Sequence, residues 1–274
     1  MGKNKSFFLT ITLLLVLFGC SQIMQKRTNL IPKKVDIIEH LSVNFPIEKA
    51  LYDPITRTIY AKNGNEIQIF KNGKKINVVG RSGFGQNQFN QLSDIALSPA
   101  GDLLALDSFR KKIYRYDQEG SFIAQIDLSI FANPVLLQMT NDEKIYIYDS
   151  ATNEIYIYEN FSNEEPLGFG KFTFSKPQQI GKFKDTLFIY DIKMNKTFLF
   201  NSFGQELEEI NGNIFIDQYE KFQVEEFYIK HLRTGKKYQI STFPIDNCFV
   251  RNGNIIVIRN KELDVIKIQY DKEN

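Results

Sequence analysis

Histidine, cysteine and tryptophan are scarce in this 274-residue chain, which has two histidines, two cysteines and no tryptophan. A catalytic metal site usually needs three or four His, Cys or carboxylate ligands. His40 and His231 alone are too few for one, so carboxylates from distant positions would have to complete it. We therefore predict no metal site and no cofactor. Cys248 lies in the apolar run Cys248–Val250, and we expect it to be a small buried side chain.

The chain also lacks an excess of charge of one sign, and it lacks a long segment with helical periodicity. The chain has 34 Lys and Arg against 32 Asp and Glu. Lys3 and Lys5 lie in a segment that we expect to be removed, which leaves 32 minus 32, or zero. A neutral chain gives no electrostatic reason to expect nucleic acid as a partner. The 24 Phe and 13 Tyr favour strands over helices.

One long apolar run is present, close to the N-terminus. Met1–Lys5 is polar and positive, residues 7–18 are almost wholly apolar, and the small residue Gly19 follows. This order of regions is typical of a signal peptide over residues 1–19. The apolar run is shorter than the roughly 20 residues that a membrane-spanning helix needs.

Cys20 follows this leader directly, and the leader therefore resembles that of a bacterial lipoprotein. Phe18 departs from the pattern, because that position usually holds a smaller residue. The resemblance implies lipidation of Cys20, a tether over residues 20–32 and a place in the cell envelope, with Ser21 favouring the outer membrane. Ordinary secretion and an uncleaved membrane anchor are the alternatives. A multiply acylated cysteine would give stable anchoring.

An apolar run closed by an aspartate recurs at Asp107, Asp149 and Asp191, at intervals of 42 residues. A second apolar run begins six residues after each aspartate. The same pair of runs surrounds Ala61 and Arg259, which gives five copies of one hairpin. The interval lies in the range of β-propeller blades, about 40–50 residues.

The runs are apolar at consecutive positions, as expected for strands that are buried on both faces. Residues 211–241 hold a weaker sixth copy. Lys34–Val43 precedes the first copy, and we predict that it pairs as the outer strand of the last blade and closes the ring. We therefore predict an all-β, six-bladed β-propeller over residues 33–274. A five-bladed ring without this closure is the alternative.

The second copy carries the most specific motif. Gly83–Phe89 is a glycine-rich loop that ends in Gln-Phe, and a Pro-Ala-Gly turn at Pro99–Gly101 and the strand-closing Asp107 follow it. This stretch resembles an NHL repeat over about one blade, and the resemblance implies a propeller. Some NHL enzymes, such as the peptide-amidating lyase, use histidines as metal ligands. This chain has too few histidines for those roles to be carried over.

The aspartates have two interpretations. They could form a ring of carboxylates that binds a divalent cation in the channel, as in lactonase-type propellers. The members of this ring would be Asp94, Asp107, Asp149, Asp191 and Asp217. Alternatively, an aspartate at a strand end accepts hydrogen bonds from backbone amides of the next turn, and recurrence at one place in each copy favours this structural role. Asp94 is the exception, because it lies in an inner-strand run and should face the channel.

The loops on one face of the predicted ring hold candidate binding residues, since ligands often bind propellers there. The candidates are Arg81, Phe84, Phe109, Arg110, Lys193 and Asn195. They could equally be ordinary solvated loop residues. Our hypothesis is a lipid-anchored envelope module that binds a protein, peptide or glycan partner. The alternative is a propeller hydrolase or lyase that uses channel carboxylates and a divalent metal.

Overall fold

The computed structural model describes residues 30–85, 87–159, 165–251 and 253–272. The predicted signal peptide and Cys20 lie outside these residues. Within the described ranges, no helix is long and apolar enough to cross a membrane. The chain divides into two compact units, of which one covers residues 34–269. In the described part of the other unit, Lys33 Nζ lies 3.1 Å from Asp271 Oδ2.

The described residues form 24 strands in six four-stranded antiparallel sheets, which confirms the predicted six-bladed propeller. The chain begins with β1 (Leu30–Ser42). From its innermost to its outermost strand, the first blade consists of β2 (Lys49–Asp53), β3 (Thr58–Asn63), β4 (Glu66–Lys71) and β5 (Lys74–Val79). In the same order, the second blade consists of β6 (Leu92–Leu97), β7 (Leu103–Asp107), β8 (Lys112–Tyr116) and β9 (Phe122–Asp127). The third blade consists of β10 (Pro134–Met139), β11 (Ile145–Asp149), β12 (Glu154–Tyr158) and β13 (Leu167–Phe169).

The remaining blades include the weak copy that was predicted within residues 211–241. They are β14 (Pro177–Phe183), β15 (Thr186–Asp191), β16 (Lys196–Asn201) and β17 (Glu206–Asn211); β18 (Asn213–Asp217), β19 (Glu220–Val224), β20 (Tyr228–His231) and β21 (Lys237–Gln239); and β22 (Asn247–Arg251), β23 (Asn254–Arg259) and β24 (Glu262–Lys272). The fourth strand of the last blade is β1.

Strand β1 closes the ring at the outer edge of the last blade, in the order β1-β24-β23-β22. The backbone N–H of Val43 donates to the carbonyl of Lys261 at 2.9 Å, and that of Ile47 donates to the carbonyl of Asn260 at 2.7 Å. The turn between β23 and β24 therefore holds the segment that leads from β1 to β2. The predicted closure is confirmed, although the strand covers Leu30–Ser42 and not Lys34–Val43.

The core lies between the blades, because the middle strands are buried on both faces. Every residue of β7 and of β11 is buried. Tyr60 and Ile67 of the first blade pack in one cluster with Ile95 and Leu103 of the second. Cys248 is also buried, and burial raises the pKa of its thiol to about 12. The consecutive apolar runs thus form strands that face two neighbouring blades at once.

The three recurring aspartates cap the second strand of their blades. Asp107 is fully buried, and its carboxylate accepts hydrogen bonds from the backbone N–H groups of Asn90 at 2.8 Å, Gln91 at 3.3 Å and Arg110 at 3.0 Å. It joins the segment before the innermost strand to the turn after the second strand. The equivalent donors are Ala132, Asn133 and Ala151 for Asp149, and Ser175, Lys176 and Met194 for Asp191.

The other blades end their second strand on different residues, which are Asn63, Val224 and Arg259. In the first blade the capping carboxylate belongs to the segment before the innermost strand. Glu48 in that segment accepts from the N–H of Gly64, which follows the second strand, at 3.0 Å. Asp246 accepts from the N–H of Asn260 in the same way in the last blade. A carboxylate cap of this kind is therefore shown in five of the six blades, and in each of the five it is a local contact.

Replacement of Asp149 by alanine should destabilise the protein, because the backbone amides of Ala132, Asn133 and Ala151 lose their buried acceptor. We expect a loss of about 3 kcal/mol in the free energy of unfolding, measured by urea denaturation. Asp149→Asn keeps one acceptor oxygen and should lose less. Glu66→Ala, at an exposed position, is the control. A loss for Asp149→Ala no larger than that of Glu66→Ala would contradict the capping role.

Candidate functional site

Asp94 lies on β6, the innermost strand of the second blade, and is 3% exposed. Its Oδ1 accepts a hydrogen bond from Lys49 Nζ at 2.5 Å, and its Oδ2 accepts from the backbone N–H of Leu137 at 2.9 Å. Lys49 Nζ also lies 5.5 Å from the centre of the Phe249 ring. Since these partners belong to β2, β10 and β22, one buried ion pair connects the innermost strands of four blades.

The remaining carboxylates and the two histidines lie apart from Asp94. Among the residues that the structure describes, no group of three or more His, Cys, Asp or Glu side chains could hold a metal ion. His40 Nδ1 lies 2.6 Å from Asp264 in the last blade. His231 Nε2 lies 2.6 Å from Glu220 in the fifth blade. Each histidine therefore has a carboxylate partner in its own blade.

Two of the predicted binding residues form an exposed aromatic pair. Phe84 lies in the loop between the first two blades and is 79% exposed, and Phe109 lies in the turn between β7 and β8 and is 65% exposed. Their ring centres are 6.3 Å apart in an edge-to-face arrangement. Large exposed aromatic side chains are unusual on a surface that only meets water, and they are enriched at interfaces.

Arg110 lies beside this pair and is fixed by neighbouring groups. Its Nη2 donates to the carbonyl of Gly83 at 3.2 Å, and its Nη1 donates to the Tyr114 hydroxyl at 3.2 Å. Its Nε donates to the side chain of Asn90. We call Phe84, Phe109 and Arg110 the aromatic patch. Because the guanidinium is held in place, it would lose little conformational freedom on binding.

The loop that carries Phe84 is anchored in the core by its Gln-Phe end. Phe89 is fully buried, its N–H donates to the carbonyl of Arg81 at 2.9 Å, and its carbonyl accepts from the N–H of Gly83 at 3.1 Å. Gly80 has φ +82°, and a Cβ atom there would lie 2.2 Å from the Phe89 ring. The glycine thus permits the close approach that fixes the loop and leaves Phe84 exposed.

A cavity of about 610 Å³ lies next to the aromatic patch, on the outer part of the second blade. Phe84 and Arg110 line it, together with Tyr114 and Phe122. The volume is within the range of small-molecule sites, about 300–1,000 Å³. The lining combines aromatic surface with one fixed cation, which suits a sugar ring or an apolar peptide side chain that also carries a hydrogen-bond acceptor.

The other predicted binding residues lie elsewhere. Lys193 and Asn195 are exposed in the turn between β15 and β16 of the fourth blade, where Asn195 Oδ1 accepts from the Tyr190 hydroxyl at 3.2 Å. Arg81 is exposed in the same loop as Phe84. No hydrogen bond, ion pair or ring contact within the described residues links the turn in the fourth blade to the aromatic patch.

Further exposed apolar residues, which the sequence analysis did not select, share the face of the aromatic patch. We call this face, made of the connections between blades and the turns between second and third strands, the loop face. These residues are Ile130, Phe172, Ile192, Met194 and Phe243. Apolar residues within the segments that connect the strands were the available signal. On the opposite face Ile55, Phe203 and Tyr219 are exposed.

Comparison with known proteins supports the architecture. The DUF5128 family model, described as a 6-bladed β-propeller, matches residues 56–165. The chain is a six-bladed β-propeller. No sequence among the curated proteins matches it.

Several solved propeller structures have a fold similar to that of this chain, although their sequence identity to it is low. A gluconolactonase from Xanthomonas campestris is 11% identical, with a TM-score of 0.61, over 88% of this chain and 97% of that chain. A streptogramin B lyase is 14% identical, with a TM-score of 0.56, over 80% and 78%. A catalytically inactive virginiamycin B lyase from Staphylococcus aureus, solved with quinupristin, is 13% identical, with a TM-score of 0.56, over 86% and 100%. At these identities the likeness concerns the fold alone.

Replacement of Asp94 by alanine should destabilise the ring, since it leaves the largely buried ammonium of Lys49 without its carboxylate. We expect a loss of about 3–5 kcal/mol in the free energy of unfolding, measured by urea denaturation. The double variant Asp94→Ala with Lys49→Met should recover part of this loss, because no unpaired charge remains. A double variant that is no more stable than Asp94→Ala would show that the ion pair does not connect the blades energetically.

Proposed function

We propose that this chain is a lipid-anchored binding module of the bacterial cell envelope, which presents its loop face to a protein, peptide or glycan partner. One observation carries the proposal. The Phe84–Phe109 pair is exposed, yet it lies beside a fixed arginine and a cavity of ligand size. A surface with exposed aromatic rings and a preorganised cation is chemically suited to recognition.

The path of the chain favours a free loop face. Val43 follows β1 and contacts the turn between β23 and β24, which belongs to the loop face. The Lys34 end of β1 therefore lies at the opposite face. In this proposal the lipidated Cys20 precedes that end, so the loop face is open to a partner.

The alternative hypothesis is a hydrolase or lyase, as in the gluconolactonase and the streptogramin lyases that share the fold. Such an enzyme would use carboxylates in the channel. Both oxygens of Asp94 are occupied, by Lys49 and by the backbone of Leu137. The contacts of Asp94 therefore favour a structural role, and the binding hypothesis has the better support.

The proposal can be tested with a photo-reactive residue. We expect p-benzoylphenylalanine at position 109 to give a discrete protein or glycan adduct when whole cells of the source organism are irradiated, with mass spectrometry to identify it. The matched control places the same group at Ile55, which is 87% exposed on the opposite face. The proposal fails if position 109 gives no adduct, or if both positions give the same adducts.

The anchor is tested separately. Cys20→Ser should release the protein from the membrane fraction, because a serine cannot carry the thioether-linked lipid, and the mass of the mature wild-type N-terminus should include acyl chains. Fractionation in alkaline carbonate measures the first result and mass spectrometry the second. A wild-type N-terminus whose mass includes no acyl chains would contradict lipid anchoring at this residue.

A further inference from the structure

A second cavity, of about 500 Å³, lies at the end of the channel opposite the loop face. We call it the channel-mouth cavity. The ends of innermost strands and the turns that follow them, from the third to the sixth blade, form its wall. The residues that matter for its chemistry are Gln138, Asp142, Lys182, Asp185, Asp217 and Arg251. Of these residues, only Asp217 was considered from the sequence as a ligand-binding residue, as a member of the carboxylate ring.

Arg251, the last residue of β22, has a nitrogen that no described protein group satisfies. Its Nη2 donates to the carbonyl of Ser98 at 2.8 Å, whereas its Nη1 is buried and has no hydrogen-bond partner among the described residues. Burial lowers the pKa of Arg251 to about 10, although the charges of Asp53 and Tyr60 raise it. The side chain is still protonated at neutral pH. A buried cation that is only partly paired is costly, and because Arg251 lines the cavity, an oxyanion bound there would offset its charge.

A second donor without a partner lies next to the wall of the cavity. Tyr146 is fully buried, and within the part of the chain that the structure describes its hydroxyl has no hydrogen-bond partner. It pairs across β10 and β11 with Gln138, which lines the cavity. Lys182 Nζ lies 5.5 Å from the centre of its ring and 3.6 Å from Asp142 Oδ1. Two buried donors and a lysine that is 12% exposed therefore lie in or beside this one cavity.

Carboxylates in the same wall restrict the class of ligand. Asp142, Asp185 and Asp217 line the cavity together with the cations. Burial raises the pKa of Asp142, but the hydrogen bond from Thr140 and the charge of Lys182 outweigh burial and leave the pKa below its ordinary value. Asp142 is therefore ionised at neutral pH. A polyanion would be repelled by these carboxylates, whereas a ligand with one carboxylate and one ammonium meets both signs of charge.

We propose that the channel-mouth cavity binds a small zwitterion, either a free amino acid or a short peptide. The ligand carboxylate pairs with Arg251, and the ligand ammonium faces the aspartates of the wall. Gly253 lies close to one of these aspartates, since a Cβ atom there would lie 3.2 Å from Asp217 Oδ1. This site lies on the face opposite the aromatic patch and does not depend on the proposed function.

Isothermal titration of the full chain in detergent tests this proposal. The probes are the free L-amino acids and L-alanyl-L-alanine. We expect saturable binding of at least one probe, weakened by about ten-fold or more when the ammonium is acetylated or the carboxylate is amidated. Arg251→Gln should weaken binding by a similar factor. Absence of saturable binding for every probe, or equal binding of the blocked ligands, would overturn the proposal.

Two further variants keep the test decisive. Asp185→Asn is at an exposed position, so it should fold normally and weaken binding of the zwitterion but not of its N-acetyl form. Glu66→Ala, at an exposed position of the first blade, is the control and should leave binding unchanged. Binding that survives both Asp185→Asn and Arg251→Gln places the ligand elsewhere and overturns the proposal. The crosslinking result at position 109 is independent of either outcome.

Discussion

The pairing of β1 with β24 is the constraint on which the propeller depends. Each blade buries both faces against its neighbours, so an open ring would expose two apolar faces at once. Leu41 and Ile47, from the closing segment, share one buried cluster with Tyr52 of the first blade and Phe249 and Val265 of the last. The closure therefore buries the seam between the ends of the chain and also completes the last sheet.

Polar contacts near the axis add specificity to this packing. Lys49 and Asp94 join the innermost strands of neighbouring blades. Arg251 of the sixth blade donates to the carbonyl of Ser98, which follows β6 in the second blade. A buried charge that must find one partner disfavours alternative rotations of the blades. The loop face and the channel-mouth cavity both depend on this registration, since each is built from residues of more than one blade.

Local pattern predicted the strands well, because each run of apolar residues needs only its own neighbours to be recognised. Even the weak copy within residues 211–241 forms a complete blade, β18 to β21. The aspartate caps were also predictable, since their partners lie within one blade. Phe84 and Phe109 could be placed on the same face, because the strand order of a propeller puts the connections between blades and the turns between second and third strands on one face. Their contact with each other required the structure.

The contacts across the ring could not be predicted in the same way. Lys49 and Asp94 are 45 residues apart, and Arg251 and Ser98 are 153 residues apart. Which inner-strand side chains meet depends on the rotation of each blade about the axis. No local sequence pattern encodes that rotation. The unsatisfied nitrogen of Arg251 has the same origin, because burial and the absence of an acceptor are properties of the assembled ring.

The order in which the chain is made gives the β1–β24 seam a further consequence. Among the described strands, β1 is made first and must wait for β24, which is made last, whereas every other blade is a set of consecutive hairpins. Long-range pairing of this kind is slower than hairpin formation. During that interval the seam is an unpaired edge, and a second copy of the chain can supply β1 in place of the first. The β1–β24 seam, which closes the ring of one chain, is therefore the natural place for a domain swap between two chains.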